Sequence, residues 1–213
     1  FATQLNIKYV FTGQRNLDGN IKTRTPGFAL NIGIKQAQGD IIILSCPEMY
    51  HLNNTIDIIT YTLMNNPKSL VIPRSVYFDK LGKITQQLWA NLNKDITIDT
   101  SLLTGGSYGR CHAEMPFLLA VMKEELVSIG GYNEKMVGYA GEDCELLFRL
   151  QLNGLTYERT GAEVIHLYHE GSTDGNCHFE NPDWVVNWKI LQETRENKLL
   201  IANEGKEWGV LEC

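Results

Sequence analysis

Apolar and polar positions along this chain switch between a period near two and a period near three and a half. Residues 5–11 alternate apolar and polar and then turn apolar, which predicts a strand. Residues 12–25 are polar, with Gly13, Gly19 and Asn20, and read as a loop. Pro26 suits the first position of a helix; Phe28, Leu30, Ile32, Ile34 and Ala37 follow, and Gly39 ends it. Ile41-Ile42-Ile43-Leu44 is a continuous apolar run, the mark of a strand buried on both faces of a parallel sheet. Residues 55–63 predict a helix closed by Asn65-Asn66-Pro67, and residues 69–78 a single strand. Residues 79–110 are weakly patterned, with Gly105-Gly106 and Gly109 marking loops. A buried strand over 117–122 runs into a short helix over 123–129, stopped by Gly130-Gly131. A helix is predicted over 141–153, its apolar face Leu146, Leu147, Leu150 and Leu152, closed by Gly154. Strand ends follow at 156–159 and 162–167, an open loop at 171–182, and a long helix over 183–203.

Helices alternating with buried strands predict an α/β fold: one domain with a mostly parallel central sheet flanked by helices. The composition agrees. The 213 residues, 43% apolar and 21% charged, are enough for one full core. A net charge of −6 argues against a nucleic-acid surface, which needs a basic patch. The five cysteines (Cys46, Cys111, Cys144, Cys177 and Cys213) are odd in number and form no CxxC pair. Reduced thiols in a cytoplasmic setting fit them better than a disulfide framework. No apolar run approaches the ~18 residues of a membrane span, and no signal-peptide pattern opens the chain. The chain starts at Phe1, almost directly in a strand-like run, and is expected to be a piece of something longer.

Candidate chemistry gathers where strands end. Glu48 follows the strand 41–44, His166 and His169 follow the strand near 164–167, and Glu142 and Asp143 open a helix behind a glycine. Open α/β sheets bind ligands at the carboxyl ends of their strands, so these groups can converge on one edge. Taken locally, Glu142 and Asp143 are also what an ordinary helix start carries, since acids face the positive end of the helix dipole. The pair His166 and His169 is a weak metal signal by itself, and Glu48 alone is a solvated loop acid. Carboxylate with imidazole suits Mn²⁺; carboxylate with waters suits Mg²⁺. Trp184 and Trp188, four apart on the last helix, point to packing more than to sugar stacking. There is no G-x-G-x-x-G, P-loop, H-E-x-x-H or G-x-S-x-G motif, which removes the common dinucleotide, NTPase, zincin and α/β-hydrolase readings.

Two segments carry a family likeness. Arg24-Thr25-Pro26, then Ala29-Leu30-Asn31-Ile32-Gly33-Ile34, then Ala37-Gln38-Gly39-Asp40 and Ile41 to Leu44, resembles the R-x-x-x-x-A-R-N-x-G-I-x-x-A-x-G-E-x-I-x-x-L segment of family-two glycosyltransferases with the GT-A fold. Gly130-Gly131-Tyr132-Asn133-Glu134, with Gly141-Glu142-Asp143-Cys144-Glu145-Leu146, resembles the G-G-F-D-E…G-x-E-D-x-D/E-L segment of that family and of related galactosyltransferases. The likeness covers about residues 5–170, with the motifs in the expected order.

The resemblance implies a Rossmann-like domain with a nucleotide-sugar half (1–115), an acceptor half (116–180) and a C-terminal helix (181–203). It implies an inverting transferase that moves a sugar from a UDP- or GDP-sugar donor to a hydroxyl of a glycan or lipid-linked acceptor, in the cytoplasm or peripheral at a membrane, as in polysaccharide synthesis. Asp143 would be the general base and Glu142 would position the acceptor. Arg24, Asn31, Cys46 and Glu48 would face the donor. The family's D-x-D falls on Cys46-Pro47-Glu48, so Cys46 replaces the first acid and Glu48 stands where the metal-binding acid belongs. His166 or His169, with His169 favoured, would complete the shell for Mn²⁺ or Mg²⁺. Nothing matches the family's first strand, which would lie upstream or be missing. The competing reading is a non-catalytic sugar-binding or scaffolding domain that kept the fold and lost the D-x-D.

Overall fold

The computed structural model describes residues 7–11, 26–91, 96–105, 117–138, 140–169 and 182–210. In chain order the elements are α1 (Pro26–Gln36), β1 (Ile41–Ser45), β2 (Met49–His51), α2 (Thr55–Asn65), β3 (Ser69–Ile72), β4 (Ser75–Phe78), α3 (Lys83–Ala90), β5 (Thr104–Gly105), β6 (Leu118–Met122), α4 (Lys123–Ser128), α5 (Glu142–Leu152), β7 (Thr156–Arg159), β8 (Glu163–His166) and α6 (Pro182–Glu196). The fold is mixed α/β. Its core is formed by the apolar runs of β3, β6 and β8 with Ile59 and Leu63 of α2 and Leu146, Leu147 and Leu150 of α5. Among the described residues no helix is long and apolar enough to cross a membrane.

Three extended segments break in the middle and pass from one sheet to another. The first sheet runs β1-β6-β3-β7 and the second β2-β8-β4-β5. β1 continues into β2 across Cys46–Glu48, β3 into β4 across Pro73 and Arg74, and β7 into β8 across residues 160–162. The single strand expected over 69–78 is therefore two. Pro73 has no N–H to give to a ladder, and the N–H of Arg74 turns to the Ala162 carbonyl at 2.8 Å. The expected mostly parallel sheet is corrected as well. Among the described residues only β3·β7 and β4·β8 are parallel; β1·β6, β3·β6, β2·β8 and β4·β5 are antiparallel. An all-apolar run marks a strand covered on both faces, but strand direction depends on how the chain returns to the sheet. Here β6 returns to lie antiparallel between β1 and β3, and the Lys123 N–H closes on the Asp40 carbonyl at 2.7 Å.

Other boundaries moved for local reasons. Residues 7–11 form no strand, and Ile7, Tyr9 and Phe11 are exposed. The weakly patterned stretch contains α3. Its start is made by Asp79, whose Oδ2 accepts from both the backbone N–H and the hydroxyl of Thr85 at 2.7 Å, six residues on and outside ordinary cap spacing. α5 ends at Gly154 as expected. Its φ of 92° and the bonds from Gly154 N–H to Gln151 O (2.9 Å) and from Leu155 N–H to Leu150 O (3.1 Å) make a left-handed cap that satisfies two end carbonyls. α6 stops at Glu196 rather than near 203, because Lys198 turns left-handed (φ 50°) and Leu199 N–H bonds back to Thr194 O. The predicted loop over 12–25 lies outside the described residues, as does that over 171–182 except for Pro182, which opens α6.

Candidate functional site

The break between β1 and β2 places Glu48. Met49 pairs with His166 across the β2·β8 ladder, and the Leu167 N–H donates to the Glu48 carbonyl at 2.9 Å. Glu48 Oε1 then lies 3.4 Å from His166 Nε2 and 3.4 Å from His169 Nε2. All three potential ligand atoms fall within 4.8 Å of one another, the one such group among the described residues. A separation of 3.4 Å is close to what two ligands must keep when each stands ~2.1 Å from one tetrahedral ion. The donor set, one carboxylate oxygen and two imidazoles, is of a kind that a divalent metal ion takes. His166 is buried against Phe117 and Phe78, its ring edge-on to Phe117 at 5.0 Å. Burial holds its pKa below the ordinary value, although Glu48 acts the other way. A neutral imidazole is the form a metal needs.

The second cluster is the start of α5. Gly141 caps the helix at φ 93°, and Ala140 before it also has positive φ (72°), a conformation costly to a residue with a side chain. The surrounding structure holds it. Asn187 of α6 is fully buried; its Nδ2 donates to Ala140 O at 2.7 Å and to Val137 O at 2.8 Å, and its Oδ1 accepts from Val137 N–H. The result is a pair of carboxylates aimed inward. Glu142 is only 7% exposed, and its Oε2 has no hydrogen-bond partner among the described residues. Burial, then the neighbouring Asp143 charge, pushes its pKa up to about 7. Burial likewise raises Asp143 to about 6, against the pull of a hydrogen bond from the Tyr132 hydroxyl to Asp143 Oδ1 at 3.2 Å.

Acids of both clusters act on Cys46. Its thiol is pushed up to about 11, first by burial and then by the charges of Glu48, Asp143 and Glu142. Acids from both clusters are thus near enough to act on one side chain. The thiol stays protonated and adds no charge between them. Cys46 and Cys144 are both free.

The remaining expected site residues fall elsewhere. Asn31 sits fully buried in α1 and is occupied by the fold: its Nδ2 donates to Tyr132 O (2.9 Å) and Glu134 Oε1 (3.0 Å), and its Oδ1 accepts from Tyr132 N–H (2.8 Å). Arg24 lies outside the described residues. Trp184 and Trp188 are stacked at 5.1 Å with Trp188 partly exposed, so the pair forms a surface feature, not a core one. Sequence reasoning missed the framework behind the acids. Arg149 and Glu145 form a buried pair one helical turn apart, a spacing the sequence does show. Asn187 and Asn203 gave no signal, because their partners lie 47 or more residues away.

Residues 116–170 match a family model described as the N-terminal domain of galactosyltransferase. No curated protein matches the chain. The matched stretch runs from just before β6 to four residues past β8 and contains Glu142, Asp143, His166 and His169, while Glu48 reaches the two histidines from outside it. Four of the five acids and histidines of the candidate site therefore sit within the stretch that is similar to a galactosyltransferase domain.

Proposed function

We propose that the protein is an inverting glycosyltransferase of the GT-A type, moving a sugar from a UDP- or GDP-sugar to a hydroxyl of a glycan or lipid-linked acceptor. The observation that supports it best is the pairing of two unlike clusters whose charges both act on Cys46: a carboxylate–imidazole set suited to a cation, and a buried and a half-buried acid, both with raised pKa. Residues 1–115 would form the nucleotide-sugar half and residues 116–180 the acceptor half.

Asp143 is the general base. It takes the proton of the acceptor hydroxyl as that oxygen attacks the anomeric carbon, while the bond from that carbon to the diphosphate breaks and its electrons leave with the nucleoside diphosphate. A single displacement inverts the sugar. A base with a pKa near 6 is largely ionised at neutral pH yet still basic enough to draw the proton, an effect worth roughly 10²–10⁴-fold. Glu142 offers the unpaired Oε2 to a second acceptor hydroxyl, whose donation would satisfy it. Glu48, His166 and His169 would hold Mn²⁺ or Mg²⁺, which when bound supplies positive charge against the diphosphate.

The test is thermal stability with UDP and with GDP, each with and without Mn²⁺, on wild type and Asp143→Asn. A nucleotide that binds only with the ion raises the melting temperature only in its presence. Both proteins should show that rise, and Asp143→Asn should lose transfer. No Mn²⁺-dependent rise with either nucleotide would refute the donor site, and near-normal turnover in Asp143→Asn would refute the base.

A further inference from the structure

The turn over 130–134 is gripped from three directions, and what it presents is one hydroxyl. Gly131 has φ +66°, and a Cβ there would stand 2.4 Å from Asn31 Oδ1, so only glycine lets α1 approach. From α1, Asn31 takes both the N–H and the carbonyl of Tyr132. From α5, Arg149 donates to Ile129 O at 2.8 Å and to Gly131 O at 2.7 Å. From beyond α6, Asn203 donates to Gly130 O at 2.9 Å and to Tyr132 O at 2.7 Å. The Tyr132 main chain is thereby immobilised and its ring buried in the core cluster. A phenylalanine would fill the same space. The hydroxyl is therefore not required for packing, yet it ends 3.2 Å from Asp143 Oδ1.

We propose that Tyr132 is a positioning residue: its hydroxyl fixes Asp143 Oδ1, so that Oδ2 is the oxygen turned to the acceptor. This rests on the transferase reading above. Among the described residues the one hydrogen bond to Asp143 is that of Tyr132 to Oδ1, which leaves Oδ2 for a substrate proton. Burial and the Asp143 charge keep the Tyr132 phenol well above its ordinary pKa, so it remains a donor across the working range.

The arrangement has a pH signature. A hydrogen bond donated to a carboxylate favours its charged form. Tyr132 therefore lets Asp143 ionise at lower pH than its burial alone would permit. The other groups that face this site are Glu142 and Cys144 on the same helix and Cys46 from the β1–β2 break, with Arg195 of α6 acting on Cys144. The change Tyr132→Phe leaves all of them in place.

The experiment compares wild type, Tyr132→Phe and Asp143→Asn as full chains, with Asp carboxyl carbons labelled with ¹³C and followed by NMR through a pH titration. Asp143→Asn identifies the resonance. In Tyr132→Phe the Asp143 midpoint should rise by about half to one pH unit, the worth of one hydrogen bond. The acid limb of kcat/KM for UDP release from UDP-galactose, with water as acceptor and Mn²⁺ present, should move up by the same amount, with the melting temperature nearly unchanged. A purely structural tyrosine moves neither. Identical midpoints overturn the role of Tyr132 and leave the transferase reading standing. A shifted midpoint without Mn²⁺-dependent stabilisation by either UDP or GDP, or with full release in Asp143→Asn, overturns the transferase reading and the positioning role that rests on it.

Discussion

Replacing Glu142 with glutamine should make the protein more stable and less active, and the structure sets the size of the gain. Glu142 is buried, and its pKa is raised from 4.5 to about 7. Below pH 4.5 both folded and unfolded chains carry a protonated Glu142, and it costs nothing. Between pH 4.5 and about 7 the unfolded chain releases its proton while the folded chain keeps it. Stability therefore falls by ~1.4 kcal/mol per pH unit through that window and levels off above it. The full cost is ~3 kcal/mol, a large share of a typical 5–15 kcal/mol. Glutamine is neutral throughout and escapes it. Its amide adds a pH-independent offset, so the quantity to read is the difference in ΔΔG between pH 4 and pH 8.5, measured by urea unfolding. With a slope near 2–3 kcal/mol per M, the Glu142→Gln midpoint should gain about 1 M more over wild type at pH 8.5 than at pH 4. Equal ΔΔG at the two pH values would refute the argument: Glu142 would then be solvated or paired in the folded chain. A carboxylate kept at such a cost to stability is what a binding or catalytic site requires.

Two further outcomes follow from the geometry. Glu48→Gln should weaken Mn²⁺ binding at least tenfold, read by the electron paramagnetic resonance of free Mn²⁺, because it replaces the one charged oxygen between two imidazoles; unchanged binding would mean that the three groups do not act together. Arg149→Met should cost about 3–5 kcal/mol in chemical denaturation, since Glu145, 1% exposed, is left as an uncompensated buried charge. Adding Glu145→Met to it should recover much of that loss, and a loss under ~1 kcal/mol in the single variant would contradict the buried-pair assignment.

Local pattern carried much of the fold. α1, β1, α4 and α5 begin and end within a residue or two of where proline, glycine and apolar spacing put them, because helix caps and buried runs are settled by neighbours in sequence. Direction and pairing of strands were not legible. Nothing in Leu118 to Met122 says that it runs antiparallel to β1, and only Pro73 hinted that the strand after Ser69 would divide. Leu199 and Leu200 continue the apolar rhythm of α6 past its observed end, whereas the chain turns at Lys198 and Asn203 reaches the 130–134 turn.

For the site, sequence alone determined the cast: Glu142 and Asp143 at a glycine-led helix start, Glu48 after a strand, and His166 and His169 after another. Tertiary structure decided what they are to one another. The β2·β8 register brings Glu48 against both histidines, and burial turns a pair of helix-start acids into groups with raised pKa. It also moved Asn31 from a donor-facing role to a clamp on the turn that carries Tyr132. The reason is physical: a residue's chemistry is written in its side chain, while its desolvation and its partners come from segments more than a hundred residues away.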